Sequence, residues 1–309
     1  MKIDLLVTTY KRVKDLLVLL KNLEFQEYKN FRLQIFDGTP DESVKKAVEA
    51  YSNHTNRVFC YEIIYHKTSC GMTKQRNIAV DNTAGDISIF LDDDVELEKN
   101  YLTEVVQVFL NDPESTIAGL NGFDTFNLQH KSKNLGRRKK IYRLLGLYPN
   151  VGAARYLPWG HNTAHFNILK SGVEDVDVLI GHNMAFRTHI LKKFRFSTFF
   201  EQYETYVLYD DQDICLRLKK AGYRLVIAYN AQLKHTISPV GRPLAKHYGY
   251  QAFFNAHRNW KLFGSQKLVH KFKFWCWEFL DIIFQLPSKS TREMALGRLK
   301  IFLITLFKI

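Results

Sequence analysis

The stretch FLDDDVEL, Phe90 to Leu97, follows an apolar run that begins at Ile87 and sets three carboxylates, Asp92, Asp93 and Asp94, at its end. Adjacent acids repel one another, and such a cluster is sustained when a cation or fixed donors offset the repulsion; hard divalent ions such as Mg²⁺ or Mn²⁺ prefer oxygen ligands. A short apolar strand ending in acids places them at the carboxyl edge of an open α/β sheet, where ligands of such sheets bind. Taken alone, the triplet also fits a solvated acidic turn.

Outward from this strand the pattern alternates. Ile3 to Thr8 reads as a strand, Val13 to Phe25 as a helix, Phe31 to Phe36 as a strand and Glu42 to Tyr51 as a helix. Val58 to Tyr65, Met72 to Asn82 and Asp86 to Leu91 continue as strand, helix and strand, so the chain is expected to be α/β, a mostly parallel sheet flanked by helices on both faces. Tyr101 to Leu110 reads as a helix and Ser115 to Gly122 as a strand; 127–165 is polar, basic and weakly periodic, and is expected to be a mobile insertion or lid. Strand character returns from Val176 to Phe186, Asp210 to Gly222 is helical, and Leu225 to Tyr229 is the last short strand. The pattern is helical from Leu244 onward. Two regions are therefore expected, 1–243 and a helical C-terminal appendage 244–309, with a break at Gly264-Ser265.

A chain of 309 residues with 46% hydrophobic content can bury a full core, and its 16 Gly and 7 Pro argue against disorder. The formal charge of +13 implies a polyanionic partner: nucleic acid, an anionic membrane, or phosphorylated substrates. The basic run KSKNLGRRKKIYR, Lys131 to Arg143, contains Tyr142 as its single aromatic, whereas nucleic-acid arms interleave stacking rings with their cations, so a nucleic-acid partner is not expected. The four cysteines show no CxxC spacing, which points to reduced thiols in a cytosolic setting and no structural zinc. MKIDLLVTTYKR at the start reads as a buried strand rather than a signal peptide, and no apolar stretch reaches the roughly 18 residues of a spanning helix. A cytoplasmic location without a transmembrane segment is expected.

Four further motifs fall in order around the acids: VTTYKR (Val7 to Arg12), FDGT (Phe36 to Thr39), GMTKQRNIAV (Gly71 to Val80) and YDDQDICLRLKKAGYRL (Tyr209 to Leu225). With FLDDDVEL, this ordered set resembles the family 2 glycosyltransferases of the GT-A (Rossmann-like) fold over roughly residues 1 to 240. That family transfers a sugar from a nucleoside diphosphate donor with inversion at the anomeric carbon. The resemblance implies nucleotide-sugar contacts from Thr8, Thr9, Tyr10 and Arg12, with Asp37 accepting from an imide N–H of uracil or thymine. Lys74 and Arg76, at a helix start, are expected near the diphosphate or ribose; exposed cations on a helix are the plain alternative for Lys74. By analogy with the family's Asp-x-Asp, Asp92 lies toward the ribose or sugar, Asp93 between, and Asp94 binds Mn²⁺ or Mg²⁺, with His235 in LKHTIS as a further ligand.

In YDDQDICLRL the family has Glu-Asp where this chain has Asp210-Asp211, so the resemblance assigns Asp211 as general base, with Asp210 beside it on the acceptor side. Acids at a helix start are also stabilised by its dipole and free N–H groups, which accounts for Asp213 without any role in chemistry. Asn183, in Gly181-His182-Asn183, is assigned to the acceptor side.

The tail contains KFKFWCWEFLDIIFQL, Lys271 to Leu286, and carries eight Lys/Arg against three Asp/Glu from Gly264 to Ile309. Phe272, Phe274, Trp275 and Trp277 beside Lys271 and Lys273 suit a helix lying on an anionic membrane. The alternatives are packing on the catalytic domain or in a homo-oligomer. The whole reads as an inverting, metal-dependent hexosyltransferase, peripheral on the inner face of the cell membrane, that moves a sugar, from UDP by preference, to a glycan or lipid-linked acceptor in surface polysaccharide synthesis. A nucleotidyltransferase on a related fold, or a non-catalytic basic membrane- or nucleic-acid-binding module, are the alternatives.

Overall fold

The computed structural model describes residues 1–53, 58–126, 133–163, 169–241 and 244–307. Its strands are β1 (Ile3–Thr9), β2 (Phe31–Asp37), β3 (Glu62–Lys67), β4 (Ile87–Leu91), β5 (Val95–Leu97), β6 (Ile117–Asp124), β7 (Val173–Val176), β8 (Asn183–Arg187) and β9 (Arg224–His235). Its helices are α1 (Val13–Leu23), α2 (Ser43–Ser52), α3 (Met72–Asn82), α4 (Tyr101–Leu110), α5 (Lys133–Leu144), α6 (Thr188–Phe194), α7 (Asp210–Lys220), α8 (Ala245–Phe263), α9 (Leu268–Gln285) and α10 (Arg292–Leu306).

The sheet runs β3-β2-β1-β4-β8-β6-β9-β5, with β7 added against β9. Ladders β1-β2, β2-β3, β1-β4 and β6-β9 are parallel, while β8, β5 and β7 join antiparallel. Strand β1 carries Ile3, Leu5, Leu6 and Val7 fully buried, because both of its faces are covered by helices, and its one buried acid, Asp4, is paired with Arg32 at 2.5 Å. Leu16, Leu19, Leu20 and Leu23 recur at helical spacing on α1 and pack with α2 and α4 against one face. Ala79 and Val80 of α3, Ile190 and Leu191 of α6, and Ile214 and Leu218 of α7 cover the other.

Helix α3 buries polar residues as well. Gln75 Nε2 donates to the Phe36 carbonyl at 2.7 Å, and Asn77 exchanges hydrogen bonds with the backbone of Phe196 at 3.1 and 3.0 Å. Unpartnered, each such group would cost about 1–3 kcal/mol; partnered, they fix the helix in one position beside the strand ends.

Several boundaries differ from the sequence-based expectation. Strand β9 runs on to His235 instead of stopping at Tyr229, because after a bulge Gln232 and Leu233 pair with Phe123 and Asp124 while β5 pairs with its last residues. The span Val176 to Phe186 divides into β7 and β8. Within 127–165, residues 127–132 and 164–165 lie outside the described part, and the remainder holds helix α5. Tyr142, Leu147, Leu157 and Trp159 there are buried in an aromatic cluster with Phe253, Trp260, Phe274 and Trp277. The weak periodicity of this stretch reflects apolar anchors of which one, Tyr142, lies on α5 and the others, Leu147, Leu157 and Trp159, lie in the loop beyond it.

The expected boundary at 243 also lies outside the described residues. Beyond it, α8, α9 and α10 form a helical layer tied to the sheet domain. Phe274 and Trp277 turn inward, in contrast to the expected membrane-facing set, whereas Phe272 is 69% exposed. The layer contains a buried ion network: Arg298 Nη1 donates to Asp281 at 2.6 Å and to Glu278 at 3.2 Å, His161 Nε2 lies 2.9 Å from Glu278, and Tyr142 donates to Asp281. Helices α8 and α10 cross backbone to backbone at Gly249 and Gly297. Among the described residues no helix is long and apolar enough to cross a membrane.

Candidate active site

Strands β1 and β4 are neighbours whose following connections leave in opposite directions across the sheet, which opens a crevice at their carboxyl ends. Thr8 and Thr9 end β1, and Asp92, Asp93 and Asp94 follow β4. The antiparallel pairing of β5 with β9 sets His235 opposite Val95, one residue beyond Asp94, and so brings together groups more than 140 positions apart.

The three acids have different surroundings. Asp93 is buried with both oxygens taken: Thr9 Oγ1 donates to one at 2.6 Å and Arg12 Nη1 to the other at 2.9 Å. Asp94 accepts the Ser238 N–H at 2.8 Å through Oδ2, and its Oδ1 stands 3.1 Å from His235 Nε2. Neither Asp94 Oδ1 nor His235 Nε2 has a well-aligned hydrogen-bond partner although both are buried. Asp92 Oδ2 lies 4.0 Å from the same imidazole nitrogen. One ligand atom from each of Asp92, Asp94 and His235 falls within 4.8 Å of the others, so two carboxylates and one imidazole fit a Mn²⁺ or Mg²⁺ ion. Burial raises the Asp92 carboxyl above the ordinary range, with Asp94's charge adding to it. Burial would raise Asp94 too, but His235, the Ser238 N–H and Arg12 outweigh it and hold Asp94 low.

Two cavities open at these acids. The smaller, about 60 Å³, is walled by Thr8, Thr9, Tyr10, Arg12, Gly71 and Gln75. The larger, about 460 Å³, is walled by Arg76, Asp124, Gly181, His182, Asp211 and His235. They share Met72, Asp92 and Tyr206, so whatever spans them passes the acids. Gly71 carries φ +128° at the start of α3, a backbone state L residues rarely adopt, and a Cβ there would sit 3.0 Å from the Tyr203 carbonyl. Arg12, in the wall of the small cavity, donates to the Val240 carbonyl at 2.6 and 2.9 Å and so ties the segment after β9 to the acid triplet, where it also holds Asp93.

Asp211 lies in the larger cleft at the start of α7. Its Oδ2 accepts the Gly181 N–H at 3.0 Å and its Oδ1 the Gln212 N–H at 2.7 Å. Burial and the adjacent Asp210 push its carboxyl up to about 6, against the pull of Arg76. Tyr209, with φ 72°, turns the chain sharply just before the helix and aims this carboxylate into the cleft.

The remaining sequence-predicted residues fall differently. Asp210 is 1% exposed, and its carboxylate binds Arg76 Nη1 at 2.8 and 3.0 Å and Thr73 Oγ1 at 3.0 Å. Arg76 is thereby occupied as an anchor for the start of α7, with its second nitrogen on the Gly181 carbonyl. Asp37 is fully buried; Thr39 N donates to one oxygen and the Tyr65 hydroxyl to the other, and it walls neither cavity. Asn183 Oδ1 accepts the Gly122 N–H at 2.7 Å inside the sheet, and its neighbours Gly181 and His182 line the cleft in its place. Lys74 is half-buried and outside both cavities.

Asp124, Tyr206 and Tyr248 line the cleft without having been singled out from the sequence. Asp124 ends an apolar strand in IAGLNGFD just as Asp92 follows one, so the same signal marks it. Nothing in the spacing of the two tyrosines, or of Ser238, marks them.

Comparison with known proteins gives an agreeing picture. No curated protein sequence matches the chain. Among solved structures, mannosyltransferase PcManGT from Pyrobaculum calidifontis, in complex with GDP-Man and Mn²⁺, superposes with a TM-score of 0.58 at 15% identity over 98% of this chain and 87% of that one. S. aureus TarS 1-349 in complex with UDP gives 0.53 at 18% identity, covering 94% and 73%. GalNAc-T7 with UDP, GalNAc and Mn²⁺ gives 0.57 at 12% identity, covering 94% and 58%. These likenesses establish the GT-A fold. The profile of glycosyl transferase family 2 matches residues 4–195, from β1 to the end of α6, which includes the acid triplet and the crevice: the chain belongs to glycosyltransferase family 2.

Proposed function

We propose that this glycosyltransferase is an inverting enzyme that moves a sugar from a nucleoside diphosphate donor, UDP by preference, to a hydroxyl of a glycan or lipid-linked acceptor. The observation that carries the reading is the placement of Asp211 in a cleft shared with Asp92 and His235, opening onto the small cavity at Thr8 to Arg12. A nucleoside diphosphate is larger than the 60 Å³ cavity, so only part of it enters there, against Thr9, Tyr10 and Arg12, and the sugar extends past Asp92 into the cleft. Asp92, Asp94 and His235 would hold a Mn²⁺ or Mg²⁺ ion, which supplies neutralisation of the departing diphosphate. Asp93 fixes Arg12 beside the phosphates, and Arg76 with Asp210 orients the start of α7.

Asp211 acts as general base: it takes the acceptor hydroxyl proton as that oxygen attacks the anomeric carbon from the face opposite the diphosphate. The C–O bond to the leaving phosphate breaks as the new glycosidic bond forms, and the anomeric configuration inverts. A carboxyl raised to about 6 is still mostly ionised at neutral pH yet more basic than an ordinary aspartate. Gly181 N–H, donating to Asp211, holds the carboxylate in one orientation.

For location, the exposed stripe Leu268, Phe272, Phe279 and Ile283 on α9, at spacings of 4, 7 and 4, supports contact with an anionic membrane, which suits a lipid-linked acceptor of a surface polysaccharide. Calorimetric binding of UDP, dTDP, GDP and CDP with and without Mn²⁺ tests the donor site. Metal-dependent binding of one nucleotide is expected, and Asp94→Asn should remove that dependence. Failure of all four to bind would instead favour a non-catalytic module.

A further inference from the structure

Asp124, at the end of β6, and His182, just ahead of β8, both lie beside His235, and the His182 carbonyl accepts the Asp92 N–H at 3.1 Å. The imidazoles of His182 and His235 stack with centroids 4.4 Å apart and planes 15° from parallel; because a ring-nitrogen lone pair lies in the ring plane, one ring must tilt for both to ligate a single ion. Asp124 Oδ2 lies 4.0 Å from His182 Nε2, while its Oδ1 is held by the Phe126 N–H at 2.9 Å and the His235 N–H at 3.3 Å. One ligand atom from each residue falls within 4.8 Å of the other two. All three residues wall the 460 Å³ cleft, which leaves room for water or a substrate oxygen to complete a coordination shell.

We propose that Asp124, His182 and His235 form a second divalent-cation site, distinct in ligand chemistry from the acid-rich set and in competition with it for His235. Two imidazoles and one carboxylate suit borderline ions such as Zn²⁺ and Co²⁺, whereas two carboxylates and one imidazole suit harder Mn²⁺ or Mg²⁺. A neutral imidazole presents a single lone pair on its unprotonated nitrogen, so His235 serves one ion at a time. A Zn²⁺ ion on the nitrogen-rich set therefore withdraws His235 from Asp92 and Asp94. The consequence is inhibition by Zn²⁺ through ligand theft, with no need for the ion to touch the nucleotide. The competition rests on the proposed donor-metal set; the nitrogen-rich site itself does not.

The test titrates the full chain with Co²⁺ in the absence of nucleotide and follows the visible d–d absorption, which reports nitrogen ligation and coordination number. Wild type and Asp92→Asn are expected to bind with the same spectrum. His182→Ala and Asp124→Asn should lose at least the ~10-fold in affinity that even outer-sphere changes around a metal cost. Circular dichroism establishes that each variant folds. In a second arm, Mn²⁺-dependent UDP binding is measured by calorimetry with and without Zn²⁺: Zn²⁺ should weaken it at lower concentration in wild type than in His182→Ala, where it can act only by displacing Mn²⁺ from the acid-rich set directly. Co²⁺ binding by His182→Ala with the wild-type affinity and spectrum overturns the proposal, as does a wild type that takes up no Co²⁺ until nucleotide is added. Absence of Mn²⁺-dependent UDP binding alongside intact Co²⁺ binding would overturn the donor-metal reading alone.

Discussion

Gly249→Ala adds one methyl group where α8 crosses α10, and the structure sets its cost. A Cβ at position 249 would stand 1.8 Å from the Met294 carbonyl oxygen, and one at position 297 would stand 1.8 Å from the Lys246 carbonyl. Both obstacles are backbone, so no side chain can swing aside; reaching 3.0 Å requires the helices to part by about 1.2 Å. Alanine favours the helix by about 1 kcal/mol over glycine, and overpacking in a well-filled contact costs about 1–3 kcal/mol. With a rigid obstacle the cost falls at the upper end, leaving a net loss of about 2 kcal/mol, which lowers Tm by about 3 °C in a chain of 309 residues. The displacement also reaches the cleft: Asn255 donates to the Leu208 carbonyl at 2.9 Å and Asn259 to the Tyr209 carbonyl at 3.2 Å, so α8 holds the turn that aims Asp211. Turnover should therefore fall more than nucleotide affinity. Thermal and urea melts followed by circular dichroism, with calorimetric nucleotide binding, read both effects. Gly136→Ala in α5, where a Cβ meets nothing within 4 Å, is the control and should gain up to about 1 kcal/mol. A Gly249→Ala protein as stable as wild type, or stabilised like the control, would refute the steric reasoning.

Three further substitutions test the site. Asp211→Asn should lose about 10²–10⁴-fold in turnover while nucleotide affinity stays nearly constant. Because the base must be deprotonated, the wild-type rate should fall as pH drops through about 6 and level off above it; a rate flat from pH 5 to 8 contradicts the assignment. Arg76→Met leaves the buried Asp210 carboxylate without its partner and should cost about 3–5 kcal/mol in chemical denaturation, against almost nothing if the pair were solvated. Asn183→Ala removes the acceptor for the buried Gly122 N–H and should destabilise by about 1–3 kcal/mol. A change in acceptor KM with unaltered stability would return Asn183 to the acceptor side.

Much of the sheet domain was legible because its signals are local. Strands β1 and β4 are short and mostly apolar, α1 places its leucines at helical spacing, and the acids follow directly on β4. Helix α3 was recognised through its motif, while its burial was not legible, since Gln75, Arg76 and Asn77 are buried by partners contributed from elsewhere in the chain. The insertion around α5 and the inward turn of Phe274 and Trp277 were missed for a related reason. An amphipathic face can be counted in a sequence, but which of two apolar faces finds a partner depends on what packs against it.

The candidate site divides along the same line. From its sequence alone this chain declares a family 2 glycosyltransferase: the order of its motifs, three acids at a strand end, and an Asp-Asp pair opening a helix. Only the tertiary structure decided which of those residues remain available for substrate. Asp93, Asp210, Asp37 and Asn183 are satisfied by Thr9 and Arg12, by Arg76 and Thr73, by Thr39 and Tyr65, and by Gly122 and Asn121. Asp92, His235 and Asp211 line the cavities together with His182 and Asp124, while Asp94 stands behind them against His235 and the Ser238 N–H. Residue type sets what a side chain is able to bind, whereas the partner it meets depends on strand register, such as the pairing of β5 with β9, and register is a long-range property of the folded sheet.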